Sequence, residues 1–372
     1  MSWKDTYKNR ITTAEKVIKA IKDNDHVVFS EGAGFPQLIG KTLAKCHQDY
    51  PHIHIHSVKT FDGGRYMKPD GDTPVDVVVL SVSNPDADGY CSFGTSCGYA
   101  QEAAKKATTV IAEMNEMTPY AFGPLNKIHV SDIDYIVPCA YFLPETPNPT
   151  LTEVEQTIGR HCASLIQDGD TLNLGVGTLP EAVLLFLDDK YDLGLHTEVF
   201  TDRMADLMEK KVINNTKKTL HKGKSVCAFV RGTRRAYNFV DNNLRVNLYP
   251  VDYVNDPRVI GQYDNLVSIN TCKEVDIMGR AAQTAPTSKP YSGISIAVIP
   301  STSTDAKESH IVLSLGIDSM APSYVDYVVT EYGVAKLKGK TFKECAQSLI
   351  AIAHPDFREG LTNELNKHKL NS

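Results

Sequence analysis

Apolar residues in this chain gather in short continuous runs, set apart by polar and glycine-rich turns. His26-Val-Val-Phe-Ser30 is the first run, Val75–Val82 and Thr109–Glu113 follow, and Asp134–Val137 is a weaker fourth. Continuous rather than alternating apolar character is what a parallel strand covered on both faces requires. Helical spacing lies before and between these runs. Ala14, Val17, Ile18 and Ile21 follow a capping-box pattern, Thr12-Thr-Ala-Glu15, and an alanine-rich stretch fills Ala100–Ala107. The first run ends in Glu31-Gly-Ala-Gly-Phe-Pro36, so strand, glycine turn and helix open an α/β unit.

Residues 141–150, Tyr-Phe-Leu-Pro-Glu-Thr-Pro-Asn-Pro-Thr, hold three prolines in ten positions. Proline lacks a backbone N–H and fixes its own φ, so the stretch resists helix and sheet and marks a domain boundary. Beyond it, Thr150-Leu-Thr-Glu153 and Thr152-Glu-Val-Glu155 are overlapping capping boxes for a helix reaching Ile166. Asp168 to Pro180 then reads as turn, strand and a second glycine turn, Gly175-Val-Gly-Thr-Leu-Pro180, before a helix over Glu181–Leu187. Each half therefore opens alike, which predicts two related open α/β domains, residues 1–145 and 150–372. The second half carries more strands: Ser225–Val230, Val246–Val254, Leu266–Ile269, Glu274–Met278, Ile294–Ile299, His310–Leu313 and Asp326–Thr330. It closes on a helix capped by Thr341-Phe-Lys-Glu344.

A chain of 372 residues is long enough for about two domains with full cores. Its formal net charge of -6 gives no basic footprint for nucleic acid. No apolar run approaches the roughly 18 residues of a membrane span, and the polar start Met-Ser-Trp-Lys-Asp-Thr-Tyr-Lys lacks the apolar segment of a secretory signal. The eight cysteines contain no Cys-x-x-Cys pair, so reduced thiols in a cytoplasmic protein are expected. His52-Ile-His-Ile-His56 puts three imidazoles on one strand face, but no carboxylate or thiol nearby completes a ligand set, and no metal is assigned.

Three places hold candidate chemistry. Gly175-Val-Gly177 follows a strand and precedes a helix, so its N–H groups face a turn that can hold a phosphate or an oxyanion; a plain tight turn has the same pattern. Pro180 replaces the third glycine of a dinucleotide fingerprint. Glu198, in Leu193-Gly-Leu-His-Thr-Glu-Val-Phe-Thr-Asp202, stands at the end of a Leu195–Val199 strand, where ligand sites of α/β folds gather. Asp202 suits a cap on the helix that follows. Glu331, with Tyr332 and Gly333, ends another strand and either lines a site or caps a backbone turn.

In chain order, Gly175-Val-Gly-Thr-Leu-Pro-Glu-Ala-Val183, the Glu198 segment, Tyr253-Val-Asn-Asp-Pro257, Val267-Ser-Ile-Asn270, Asp326-Tyr-Val-Val-Thr-Glu-Tyr-Gly333 and Ile352-Ala-His-Pro-Asp-Phe-Arg358 form a familiar set. Together they resemble the acetyl-CoA hydrolase/transferase family, most closely its 4-hydroxybutyrate and butyrate CoA-transferase members. Ser81-Val-Ser-Asn-Pro-Asp-Ala-Asp-Gly-Tyr-Cys-Ser-Phe-Gly94 and Ile128-His-Val-Ser-Asp-Ile-Asp134 extend the likeness into the first half. The resemblance implies α/β domains of the CoA-transferase type with the active site between them. It implies ping-pong transfer of coenzyme A between a short-chain acyl-CoA and a carboxylic acid. Glu198 then becomes the carboxylate that carries a glutamyl-CoA thioester, and Gly175, Val176 and Gly177 the oxyanion-holding turn. Coenzyme A thioester enters as substrate, no cofactor is permanently bound, and a homodimer is expected.

The sequence departs from the family at several points. The family carries a second glycine-rich stretch, Ser-Gly-x-Gly-Gly-x-x-Asp-Phe, that contacts CoA. Here Tyr291-Ser-Gly293 runs straight into Ile294-Ser-Ile-Ala-Val-Ile-Pro-Ser-Thr302, so Ser292 and Gly293 are carried over as what remains of it. Gly64-Arg-Tyr-Met-Lys-Pro-Asp-Gly-Asp-Thr-Pro-Val-Asp76 stands where the family has a longer segment. Arg203 replaces a glycine, and Gly279-Arg-Ala-Ala-Gln-Thr284 replaces Gly-Gln with a nearby glutamate. One lost oxyanion donor costs about 3 kcal/mol of transition-state stabilisation. Three readings follow: a working transferase, a hydrolase in which water resolves the thioester, and a member that keeps the fold as a binding or scaffold subunit.

Overall fold

The computed structural model describes residues 3–56, 74–283, 293–316 and 323–369. The chain divides into two compact units. One comprises Met1–Pro147, Val199–Ala205 and Ser225–Val254; the other comprises Asn148–Glu198, Asp206–Lys224 and Asn255–Ser372. The first crossing, at 147/148, falls inside the proline-rich stretch. Beyond it the second unit is not the continuous span 150–372. Val199–Phe200 pairs with Phe229–Val230, Ser225–Cys227 pairs with Val246–Leu248, and Asn247 bridges Phe122, so these segments belong to the first unit.

The first unit holds a five-stranded, all-parallel sheet in the order His54–His56, His26–Phe29, Val77–Val82, Thr109–Asn115, Tyr135–Cys139. Its central strands are apolar on both faces because both faces are covered. Val78, Leu80 and Val82 join one core with Ala100, Ala103 and Met114, while Val77 and Val79 join another with Val17, Ile39 and Leu43. The Thr12–Glu15 capping box does not form. The helix is only Ala14–Val17, led by Thr13 without a side-chain bond, and it tightens into the 3₁₀ turn Ile18–Ala20. Of the three alternating histidines, His54 and His56 lie in the edge strand; His52 precedes it and bonds Asp23 at 2.7 Å.

In the second unit the predicted helix at 150–166 is Glu153–Ala163, and both arms of the Thr152/Glu155 capping box are formed. The second helix with this device, Phe342–Ala351, is closed by Thr341 and Glu344 in the same way. Five strands lie side by side in parallel: Gly194–Leu195, Thr171–Leu174, Leu266–Asp276, Ile294–Val298 and Tyr327–Thr330, with Gly333–Lys336 added antiparallel. The two strands expected at Leu266–Ile269 and Glu274–Met278 are one. Its first half carries the parallel sheet. A register shift between Cys272 and Glu274 then swings its second half onto Arg280–Gln283 and Ile311–Val312. Among the described residues no helix is long and apolar enough to cross a membrane.

Candidate active site

The site begins with register. Thr171 pairs with Gly194 and Leu172 with Leu195 in a parallel ladder. Carried two residues on, that register sets Leu174 beside Thr197, whose hydroxyl donates to the Leu174 carbonyl at 2.9 Å and receives the Leu174 N–H at 3.4 Å. Gly175 and Glu198 therefore leave neighbouring strands together, at the carboxyl ends where ligand sites of parallel sheets form. Neighbouring strands stand about 4.8 Å apart, so a carboxylate here is within side-chain reach of the turn. The Leu195–Val199 strand is interrupted, however. Gly194–Leu195 and Val199–Phe200 are separate strands, and Glu198 sits in the bend between them.

The turn Gly175-Val-Gly177 is shaped by two tight approaches. A Cβ at position 175 would lie 2.6 Å from Asn270 Oδ1, and Gly177 holds φ at 149°, a conformation that favours glycine. The Gly175 N–H is spent on the Ile269 carbonyl at 2.8 Å. Among the described residues the Val176 and Gly177 N–H groups have no acceptor. Two such donors beside a carboxylate can receive the negative oxygen of a tetrahedral intermediate. The helix after the turn is Thr178–Val183, three residues earlier than expected, with Pro180 inside its first turn.

Glu198 is largely withdrawn from water. Burial pushes its carboxyl above the ordinary glutamate range, and the Asn255 amide, donating to Oε2 at 2.8 Å, pulls it back. Desolvation and one directed donor leave a carboxylate that is poorly hydrated yet held in one orientation, which suits a nucleophile. Behind it runs a chain of polar contacts along the strand ends. Asn270 donates to Ser268 Oγ at 3.0 Å, Ser268 to Asn173 Oδ1 at 3.3 Å, and Asn173 to the His196 carbonyl at 2.9 Å. The His196 ring meets the buried Tyr263 hydroxyl at 2.9 Å.

The remaining candidates lie elsewhere. Glu331 and Tyr332 form the two-residue hairpin between Tyr327–Thr330 and Gly333–Lys336, three strands from the Gly175 turn. The Glu331 carboxylate caps a neighbouring loop, accepting the Ser301 N–H at 2.9 Å and the Ser301 hydroxyl at 2.6 Å. The Tyr332 ring packs edge-on against His354 and under the Arg358 guanidinium. Gly293 is buried at the amino end of strand Ile294–Val298, the opposite end of the sheet from Gly175. Ser292 and residues 64–73 of the shortened segment lie outside the described residues. Asp202 does not cap its own helix: it accepts from the Thr233 and Ala236 N–H groups and so caps helix Arg234–Val240. Asn255 and Asn270 were visible inside sequence motifs, but nothing local assigned them a role.

The profile described as "Acetyl-CoA hydrolase/transferase N-terminal domain" matches residues 47–140, and the one described as "Acetyl-CoA hydrolase/transferase C-terminal domain" matches residues 232–295 and 285–365. A 4-hydroxybutyrate coenzyme A transferase of Clostridium kluyveri is 41% identical over 428 aligned positions, covering 99% of this chain and 100% of the relative. That alignment is longer than the 372-residue chain, so the relative carries residues with no counterpart here. A succinyl-CoA:cyclohexane-1-carboxylate CoA transferase of Geobacter metallireducens is 34% identical over 97% of this chain and 96% of its own length. The crystal structure of a 4-hydroxybutyrate CoA-transferase from Porphyromonas gingivalis superposes with a TM-score of 0.87 at 38% identity, covering 99% of this chain and 100% of that one. The chain belongs to the acetyl-CoA hydrolase/transferase family.

Proposed function

We propose that the protein is a CoA-transferase moving coenzyme A between a short-chain acyl-CoA and a carboxylic acid, with Glu198 as nucleophile. The observation that carries this is the pairing of a desolvated, amide-held carboxylate with the Gly175-Val-Gly177 turn at adjoining strand ends. The Glu198 carboxylate attacks the thioester carbonyl, forming a mixed anhydride and releasing CoA thiolate. The Val176 and Gly177 N–H groups take up the charge on the carbonyl oxygen. The thiolate then attacks the glutamyl carbonyl, which frees the first acid and leaves a glutamyl-CoA thioester. An incoming carboxylate repeats both steps in reverse, so one thioester is exchanged for another without loss of activation. The names of the relatives support short-chain and small cyclic acids as the substrate class. By analogy with the family, the enzyme works as a cytoplasmic homodimer.

The test is to incubate the full chain with butyryl-CoA or acetyl-CoA, reduce with borohydride and map the products. The glutamyl thioester should be reduced to the alcohol, and the Glu198 peptide should lose mass accordingly. Folded protein showing no change with any short acyl-CoA would overturn the reading in favour of a scaffold. Hydrolysis is the same path with water as the acceptor, and CoA release without added acid would reveal it.

A further inference from the structure

Glu198 follows the short strand Gly194–Leu195. Among the described residues Gly194–Leu195 pairs with Thr171–Leu174 and no other strand. The Gly194 and His196 N–H groups point to that neighbour, reaching the Asp170 and Leu172 carbonyls at 2.8 and 2.9 Å. Strand alternation therefore turns the N–H and C=O of Leu195 the other way, toward the open edge. At Leu193 that edge is filled by main chain: Leu193 donates to the Val212 carbonyl and accepts from the Asn214 and Asn215 N–H groups. The main chain then turns away at Asn215, whose φ is 62°.

From there two side chains continue the ladder. The Leu195 N–H donates to Asn215 Oδ1 at 2.9 Å, and the Leu195 carbonyl accepts from Lys218 Nζ at 2.7 Å. Both residues are buried, and Lys218 also holds the Lys224 carbonyl at 2.6 Å, tying the edge to its own loop. An ammonium taken out of water onto carbonyls is costly, and here it satisfies the Leu195 carbonyl, as Asn215 satisfies the Leu195 N–H, in place of a neighbouring strand. We propose that Asn215 and Lys218 are positioning residues that complete the sheet edge at Leu195 and so fix where Glu198, three residues on, stands beside Gly175-Val-Gly177. The inference rests on the nucleophile reading of Glu198.

Asn215→Gly keeps the left-handed backbone and removes the side chain with its acceptor, whereas Asn215→Asp keeps the acceptor, so the pair isolates the bond to Leu195. Full-length variants are assayed for CoA transfer from butyryl-CoA to acetate, with borohydride mapping of Glu198 in the same samples and circular dichroism to confirm folding. Asn215→Gly should lose about tenfold to a hundredfold in kcat while KM for butyryl-CoA stays within about twofold, the signature of a misplaced rather than an unbound reactant. Asn215→Asp should recover most of the loss, and Lys218→Met should reproduce it. If Lys218→Met does not fold, the two Asn215 variants decide. Wild-type kcat in folded Asn215→Gly, with Glu198 labelled normally, overturns this inference and leaves the nucleophile reading intact. An unlabelled Glu198 in the wild-type protein overturns the nucleophile reading, and this inference with it.

Discussion

Removing the Asn255 amide separates orientation from acidity at Glu198. Asn255 Nδ2 donates to Oε2 at 2.8 Å, and this donation is what opposes the upward push of burial on the carboxyl. A hydrogen bond to a charged group contributes roughly 1.5–3 kcal/mol, so Asn255→Ala should lower kcat/KM by about tenfold to a hundredfold where the bond holds the attacking geometry. The pH dependence has a definite sign. As the proposed nucleophile Glu198 must be ionised, and without its donor the carboxyl rises further, so the acid limb of kcat/KM moves to higher pH. Asn255→Asp adds a like charge beside the carboxylate and should move the limb in the same direction. Rates of CoA transfer from butyryl-CoA to acetate, followed from acid to neutral pH, supply both numbers. An unmoved limb together with wild-type kcat/KM in Asn255→Ala would refute the claim that this amide acts on the nucleophile.

Gly175→Ala should cost about a hundredfold in kcat in folded protein, since its Cβ would drive Asn270 Oδ1, 2.6 Å away, out of the polar chain that backs the turn; wild-type turnover would show the turn is only a turn. Tyr141→Phe removes a donor to the buried Glu113 carboxylate, which burial already pushes upward. Stability at neutral pH should fall by about 1–2 kcal/mol in urea titrations, and the deficit should shrink as pH drops through the raised Glu113 pKa, because the hydroxyl stabilises the ionised form. Thr152→Ala should lower the melting temperature through loss of about 1 kcal/mol, as it opens a capping box whose Glu155 also receives the Thr178 hydroxyl.

The parallel cores were legible because their physical cause is local. Val77–Val82 is apolar at every position since it is covered on both faces, and a continuous run announces that directly. The Thr152 and Thr341 capping boxes were legible for the same reason, their partners being three residues apart. Interrupted elements were not. Leu195–Val199 has strand composition throughout, but the Thr197 hydroxyl bonds back to Leu174 and breaks it before Glu198. Leu266–Asp276 read as two strands because its bulge lies where the apolar run pauses. Glu198 was marked by position and by resemblance, whereas its partner Asn255 is 57 residues away and joined to it by one side-chain bond, which leaves no periodic trace. Asn215 and Lys218 were invisible for a further reason: buried polar residues that stand in for a strand look, in sequence, like an ordinary polar loop.

The path of the chain bears on how this site comes into being. The polypeptide leaves the second unit immediately after Glu198, comes back for Asp206–Lys224, and enters for the last time at Asn255. Glu198, the pair that squares its strand and the amide that holds its carboxylate thus arrive on three separate passages. Closing such long connections carries an entropy penalty that nearby contacts do not, and it slows folding. The surroundings of Glu198 are therefore expected to form late. A chain cut anywhere between residues 199 and 254 would keep Glu198 joined to its sheet while severing the covalent path to Asn255, so transfer activity should vanish under limited proteolysis before either sheet melts.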